Sequence, residues 1–203
     1  MSANSNDIRI VRAADVPPQP WKNGGGVTRE LLRLPATGDW HLRISLADVS
    51  ADGPFSSFEG VERWFAVIAG NGVRLNWSGR ERLMDTSAWP LCFDGGDAPG
   101  CRLLDGPTRD LNVMARHGQA SMLLMPAALR TPLRWSGRGR GIFSMRRLVL
   151  QPGHGETIHL PKHTLAWQDE GDGAAWTLLA PDDTDAAGAQ TDGVPPAYAF
   201  VAK

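Results

Sequence analysis

The sequence predicts an all-β protein made of many short strands with little helix. Its 203 residues include 23 glycines and 15 prolines, which are spread along the whole chain. The longest interior stretch free of both residues is Asp39–Asp52, and helix interiors tolerate neither residue well. Between these breaks, short segments alternate polar and apolar residues. Such a pattern is typical of β-sandwiches and small barrels.

Six segments in the first half of the chain have the pattern of strands. In chain order they are Asp7–Val11, Val27–Leu34, His41–Val49, Arg63–Ala69, Val73–Trp77 and Arg109–Met114. The first alternates as an edge strand or a first strand does. The prolines of Pro17–Pro20 and the glycines of Trp21–Gly26 indicate a corner and a loop before the second segment. Gly70–Gly72 indicates a hairpin turn between the fourth and the fifth.

The second half contains a further β-rich block. Its strand-like segments are Ser121–Met125, Gly141–Gln151, Glu156–Leu160 and Ala174–Ala180. Ser136–Gly141, which includes Arg138-Gly139-Arg140, indicates a turn, and Pro181–Pro196 indicates an acidic loop rich in alanine and glycine. The two blocks divide near His117. We therefore predict two similar β units, at residues 1–117 and 118–203.

Charge and composition exclude several classes of protein. The net charge is −1, from 21 basic and 22 acidic side chains, so no global field attracts nucleic acid or anionic lipid. No apolar run approaches the roughly 20 residues of a membrane-spanning helix. The opening residues lack the features of a secretion signal, and two cysteines make no disulfide framework. We expect a cytoplasmic protein without a nucleic-acid or membrane partner.

Five blocks of the first half form an ordered signature. They are Pro20–Glu30 (PWKNGGGVTRE), Trp40–Val49 (WHLRISLADV), Asp52–Gly60 (DGPFSSFEG) with Arg63, Phe93–Gly95 (FDG) and Gly106–Met114 (GPTRDLNVM). Together they resemble the signature of the HutD/Ves family. The departures are small: Glu59 stands where the family often has proline, and His41 replaces a common arginine or a similar residue. The second half matches the family only in general character.

This resemblance implies a bicupin, with two cupin-like β-barrels or jelly rolls in one chain. The first barrel carries the signatures, and the second is a degenerate copy. It also implies a bacterial cytoplasmic protein associated with histidine utilisation, for which binding of urocanate or N-formylglutamate has been proposed. Catalysis is not an established property of the family.

The same resemblance bears on metal binding. Metal-binding cupins contain the pattern G-x5-H-x-H-x3,4-E-x6-G, in which two histidines and a glutamate hold the metal. With Gly70 as the second glycine, Arg63 takes the glutamate position, and the segment Ser56–Glu59 has no histidine. A guanidinium cannot ligate a metal, but it can hold a carboxylate with two hydrogen bonds. We therefore expect no metal or other cofactor, and an anion site at Arg63.

Seven residues are candidates for binding a small carboxylate with an N–H group: Arg63, Arg43, Asp110, Asn112, Lys22, Asn23 and Ser45. Arg43 and Ser45 share the non-aliphatic face of their strand, and either face of a small barrel strand can be the inner one. Asp110 and Asn112 share a face as well, where a purely structural role is the alternative. Lys22 and Asn23 precede three glycines and lie either at a pocket rim or in solvent.

The histidines of the second half are the remaining candidate ligands. His154, His159 and His163 have a zinc-like spacing, but proline and glycine interrupt any helix that would align them. We expect them on the surface.

We conclude from the sequence that this is a metal-independent cupin protein that binds a small carboxylate and modulates histidine utilisation. One alternative is a metal-free isomerase or hydrolase of a small organic acid, with Asp110 or His41 as the general base. A second alternative is an interaction module with an empty barrel. Strands at sheet edges commonly associate, so the strand near Asp7 suggests a homodimer.

Overall fold

The computed structural model describes residues 8–77, 79–135, 138–170, 173–181 and 194–202. Within these ranges the chain forms eighteen strands, and its only helical turns are the 3-10 turns Ala13–Asp15 and Gly95–Asp97. The prediction of an all-β protein is confirmed. Over the same residues, no helix has the length and apolar character needed to span a bilayer.

The strands are short and follow one another closely along the chain. The first eleven are β1 (Arg9–Arg12), β2 (Gln19–Pro20), β3 (Gly26–Leu34), β4 (Leu42–Val49), β5 (Gly53–Pro54), β6 (Val61–Ala69), β7 (Val73–Trp77), β8 (Arg80–Met84), β9 (Leu91–Asp94), β10 (Gly100–Leu103) and β11 (Thr108–Arg116). The others are β12 (Met122–Ala127), β13 (Gly139–Ser144), β14 (Leu148–Gln151), β15 (Ile158–Leu160), β16 (Thr164–Gln168), β17 (Thr177–Leu179) and β18 (Ala197–Ala202).

The strands belong to two compact units. One unit is Val16–Met122, and the other combines the chain up to Asp15 with the chain from Leu123 onwards. The sequence places the first strand in the first unit, whereas in the structure β1 pairs antiparallel with β16, Arg9 opposite Trp167. β1 is therefore an edge strand of the second unit. Alternation of polar and apolar residues identifies a strand but carries no information about its distant partner.

The first unit consists of two sheets. One has six strands in the order β2-β3-β4-β11-β6-β9, and the other has four in the order β5-β10-β7-β8. Phe65 and Val67 of the larger sheet pack with Leu75 and Met84 of the smaller one in a buried core. The sheets remain separate, so the unit is an open sandwich rather than the closed barrel that the family resemblance implies.

The central strands of the larger sheet are buried on both faces. In β4, Leu42, Ile44 and Leu46 are buried on one face, and Ser45 and Ala47 are buried on the other. A strand that alternates apolar and polar residues would ordinarily turn the polar face to water. Here the polar face is covered, which provides a buried surface for a site.

The second unit is also built from two open sheets. Five strands lie in the order β1-β16-β13-β18-β12, and three in the order β15-β14-β17. The segment predicted as one strand over Gly141–Gln151 is two strands, and β16 and β18 are not predicted because they bury every residue and do not alternate. Most of the predicted loop Pro181–Pro196 lies outside the described residues.

Candidate functional site

A cavity of about 440 Å³ lies in the first unit. Six of the seven predicted site residues line it: Lys22, Asn23, Arg43, Ser45, Arg63 and Asn112. They are joined by aromatic and small polar side chains, among them Trp21, Thr28, Phe55 and Phe58, and by Met114. The cavity is thus lined by three cationic side chains, hydrogen-bonding groups and aromatic rings, which is a suitable lining for a small anion with an apolar portion.

The register of three neighbouring strands brings the charged residues together. Met114 on β11 lies opposite Arg43 of β4 on one side and Arg63 of β6 on the other. One row further, Asn112 lies opposite Ser45. Side chains two residues apart on a strand share a face, so these five residues point to the same side of the sheet.

Arg63 is held in a fixed orientation. Its Nε and Nη2 both donate to Oδ1 of Asn112, at 3.0 and 2.6 Å. The guanidinium lies over the ring of Phe55, with 4.3 Å between its carbon and the ring centroid, and 5.5 Å from the ring of Phe93. Only 7% of Arg63 is exposed. The hydrogen bonds and the rings together leave the Nη1 edge of the guanidinium for other partners.

The charge of Arg63 has no carboxylate partner. Among the described residues, no acidic group lies within ion-pair distance of it, and no acceptor bonds its Nη1. Burial, together with the nearby cation Arg43, lowers the pKa of Arg63 to about 10, against an opposing effect of Asp110. Arg63 still carries its proton at neutral pH. It is therefore a buried, uncompensated cation beside a cavity.

Arg43 differs from Arg63 in being neutralised. Its Nε donates to Oε2 of Glu30 at 2.7 Å, and Glu30 comes from the adjacent strand β3. In the described part of the chain, neither the hydroxyl of Ser45 nor the amide nitrogen of Asn112 has a hydrogen-bond partner. Both groups remain available to a molecule in the cavity.

The loop between β2 and β3 supplies Lys22 and Asn23. Oδ1 of Asn23 accepts a hydrogen bond from the backbone N–H of Gly25 at 3.1 Å, which closes a tight turn. Trp21 is fixed by a 2.7 Å hydrogen bond from its indole N–H to Thr28. These bonds hold the loop against β3, so that Lys22, which is exposed, stands at the rim of the cavity rather than away from it.

Asp110 is the predicted site residue that does not line the cavity. It is fully buried; Oδ2 accepts a 3.3 Å hydrogen bond from Thr108, and Oδ1 has no partner in the described structure. Burial raises the pKa of Asp110 to about 8, although Thr108 and Arg63 oppose the rise; Asp48 adds to it. His41, the other candidate base, does not line the cavity either.

A larger cleft of about 720 Å³ lies on the four-stranded sheet. Its charged residues are paired with one another: Arg74 bonds Glu81, and Arg102 lies 3.7 Å from Asp52. Because these charges are satisfied within the protein and exposed to water, the cleft has no comparable need for a ligand.

The second unit contains a buried arginine that sequence reasoning missed. Arg140 on β13 is 1% exposed; its Nε donates to Gln168 at 2.7 Å, its Nη1 donates to the carbonyl of Ala174, and its guanidinium lies 4.6 Å from the ring centroid of Trp176. This resembles the construction around Arg63, with a backbone carbonyl at the Nη1 edge.

The glycines on either side of Arg140 suggested a turn, but they serve packing. A Cβ on Gly139 or Gly141 would lie 2.5 or 2.8 Å from the ring of Trp167. The strand therefore needs glycine on that face, while Arg140 points to the other. The sequence signal for this strand was the alternation Gly139-Arg140-Gly141, which puts two glycines on one face and one long side chain on the other.

The residues of the cavity do not fit a cupin metal. Arg63 cannot ligate, and Ser56 and Phe58 provide no imidazole where the pattern has its histidines. Over the described ranges, no three histidine, cysteine or acidic side chains lie together as a metal site requires. His163 instead stacks on Phe143, with 5.9 Å between the rings.

Comparison with known proteins identifies relatives that match most of the chain. The family model described as HutD matches residues 13–186. A Pseudomonas putida protein, described as an uncharacterized 21.2 kDa protein in the hutC 3' region, is 32% identical over 147 residues, or 71% of this chain and 73% of its own. Protein Ves of Citrobacter koseri is 32% identical over 158 residues, or 74% of this chain and 82% of its own.

Solved structures agree with these relatives. HutD from Pseudomonas fluorescens SBW25, solved in a formate condition, is 27% identical with a TM-score of 0.78, over 97% of this chain and 98% of that one. An oxalate decarboxylase variant of Bacillus subtilis has 9% identity and a TM-score of 0.63 over 98% of this chain and 78% of that one, a likeness of fold alone. The fold is cupin-like, and the chain belongs to the HutD/Ves family.

Proposed function

We propose that this protein binds a small carboxylate-bearing metabolite, of the urocanate or N-formylglutamate class, in the cavity of the first unit without a metal. The observation that carries the proposal is Arg63, a buried guanidinium oriented by Asn112 and uncompensated by any acid. An unpaired buried charge costs several kcal/mol or more, and a carboxylate at the Nη1 edge offsets that cost.

The other lining groups suit the same ligand. The hydroxyl of Ser45 and the amide of Asn112 can bond further polar atoms, and Lys22 at the rim can attract a second anionic group. Trp21 and Phe58 provide apolar surface. Neither a carboxylate nor a histidine is among the described residues that line the cavity, which favours binding over general-base catalysis.

The family supports the biological context. A relative lies in the hutC region of Pseudomonas putida, and HutD of Pseudomonas fluorescens was solved in a formate condition. Formate is the smallest carboxylate. A ligand-binding protein of this family is suited to sensing an acidic intermediate and modulating histidine utilisation in the cytoplasm.

We also propose that both units are cupin-like units of one bicupin. Their boundary between Met122 and Leu123 lies near the predicted division at residues 117 and 118. The similar constructions around Arg63 and Arg140 support a common origin. The edge strand β1, where Ile10 is 38% exposed, is proposed as the contact of a homodimer. Light scattering that gives a monomer at all concentrations would contradict the dimer.

Calorimetry with urocanate, N-formylglutamate and glutamate tests the proposed ligand class. We expect binding to the wild-type protein, and a ten- to hundredfold weaker affinity in Arg63→Met, because a charge-assisted hydrogen bond is worth roughly 1.5–3 kcal/mol. Arg63→Lys should also weaken binding, since an ammonium lacks the planar fork. Arg74→Met, in the other cleft, is the matched control.

Two results would contradict the proposal. Equal affinity in Arg63→Met and wild type would show that the ligand binds elsewhere, and no binding of any of the three acids would show that the ligand class is wrong. The metal-independent part has a separate test. Elemental analysis that finds about one iron, manganese or zinc per chain would overturn it.

A further inference from the structure

Asp110 lies directly behind the anion site. It is two residues before Asn112 on the same face of β11, between Ala47 of β4 and Val67 of β6. It is fully buried and one of its oxygens has no hydrogen-bond partner in the described structure. A buried carboxylate with one oxygen unpartnered is unfavourable, so this position favours the neutral acid.

Four groups on β11 and the surrounding strands influence the ionisation of Asp110 or are influenced by it. Arg63 on β6 attracts its negative form, and Thr108 on β11 donates a hydrogen bond to it. Asp48 of β4 opposes ionisation, and stays ionised itself because hydrogen bonds from Arg109 and Arg29 outweigh burial and lower its pKa.

The fourth group is Cys101 of β10, which stays neutral. Burial, with the nearby Asp110 and Asp52, raises the pKa of its thiol to about 12. Arg63 is therefore the one cation that acts on Asp110 from within the described core. Asp110, in turn, is the acid that most strongly raises the pKa of Arg63.

We propose that Asp110 sets the charge of the anion site: it holds its proton more firmly when an anion is bound beside Arg63 than when the site is empty. This inference rests on the proposed function. Ionised Asp110 compensates the charge of Arg63 and repels an incoming carboxylate. Neutral Asp110 leaves that charge to the ligand.

The sign of the effect follows from this competition. A bound carboxylate raises the pKa of Asp110 further, because both would carry negative charge beside one cation. Binding near pH 8 therefore takes up a proton, and affinity falls as the pH rises through the titration of Asp110. A shift of one pKa unit corresponds to an affinity about tenfold lower at high pH than at low pH.

The first experiment needs no ligand. We expect the side-chain carboxyl carbon of Asp110, followed by NMR, to titrate with a midpoint near pH 8 in the wild-type protein. In Arg63→Met the midpoint should move upward by about one unit, since the stabilising cation is gone. A midpoint below pH 5 in the wild type would overturn the inference.

The second experiment uses acetate, which does not titrate between pH 6.5 and 9. In the wild type, acetate affinity measured by NMR titration should fall about fivefold over that range, since pH 9 reaches only the midpoint of the bound state. Asp110→Asn should keep the low-pH affinity throughout, because a neutral amide imitates the neutral acid. Cys101→Ala is the matched control and should retain the wild-type profile.

The outcomes separate this inference from the proposed function. Acetate binding that is equally tight across the range in wild type would overturn the role of Asp110 and leave the proposed function intact. An unchanged pH profile in Asp110→Asn would do the same. No acetate binding at any pH would count against both.

Discussion

Arg63 donates two hydrogen bonds to an acceptor that carries no charge, Oδ1 of Asn112. The two residues lie on neighbouring strands, and the acceptor orients the guanidinium without neutralising it. Arg43, on the same face of the sheet but across β11, is instead paired with the carboxylate of Glu30. The difference between an amide and a carboxylate partner separates a cation available to a ligand from one already satisfied.

Asn112→Asp should therefore change binding and stability in opposite directions. The new carboxylate would form an internal ion pair with Arg63 in nearly the same volume. We expect stability to be kept or raised by about 1 kcal/mol, in the range of a charge-assisted hydrogen bond, and carboxylate affinity to fall at least tenfold. Urea denaturation and calorimetry on one preparation measure both. Undiminished affinity would show that Arg63 does not need its charge for binding.

Arg63→Met and Arg140→Met should separate a binding arginine from a structural one. Removing Arg140 deprives the buried amide of Gln168 of a donor, at about 1–3 kcal/mol, and also removes a donor from the half-buried carbonyl of Ala174. Arg63→Met removes an uncompensated buried charge and should be less destabilising. We expect Arg140→Met to lower the melting temperature more and to leave carboxylate affinity unchanged where it is folded. The reverse order of melting temperatures would contradict this assignment.

Gly26→Ala should disturb the rim of the cavity. A Cβ at this position would overlap the backbone carbonyl of Asp48 on β4, so the start of β3 must move. We expect a loss of about 2 kcal/mol or more, as for overpacking, and weaker carboxylate binding because Lys22 and Asn23 are displaced with the loop. Gly38→Ala, at a positive φ in open space, should cost only about 1 kcal/mol and leave binding unchanged.

Asp110 should make the ligand-free protein less stable as the pH rises from about 4 to about 8. The pKa of Asp110 is raised to about 8 in the folded state, whereas in the unfolded chain it is near the ordinary aspartate value of 3.8. Between these values the native state binds the extra proton, so the slope reaches about −1.4 kcal/mol per pH unit. Asp110→Asn cannot ionise and should lack this slope. Urea denaturation at pH 5, 6 and 7 compares the two, and parallel stabilities would contradict the raised pKa.

Much of the lining of the candidate cavity was predictable from the first half of the sequence. The family signature identifies Arg63 as a candidate, and the two-residue alternation of a β-strand puts Arg43 and Ser45 on one face. The role of Asp110 was not predictable in the same way, because residues 110 and 112 alternate together while only Asn112 reaches the cavity. Depth within a core depends on how the second sheet covers the first, and a strand pattern holds no information on that.

The fold shows the same division. Glycine and proline spacing predicts the short strands, but not that the sheets stay open instead of closing into barrels. β16 and β18 escaped prediction because continuously buried strands lack alternation. Arg140 escaped because Gly139 and Gly141 accommodate a tryptophan ring contributed by a strand distant in the chain.

The pairing of β1 with β16 has a consequence for synthesis on the ribosome. Arg9 forms its ion pair with Asp169, 160 residues later in the chain. At about 5–20 residues per second, β1 waits roughly 8–30 s after its own emergence before its partner strand is made. The Val16–Met122 unit can complete its sheets within that interval. The Val16–Met122 unit is thus expected to fold first on the ribosome. β1, although synthesised first, is expected to be among the last strands to pair.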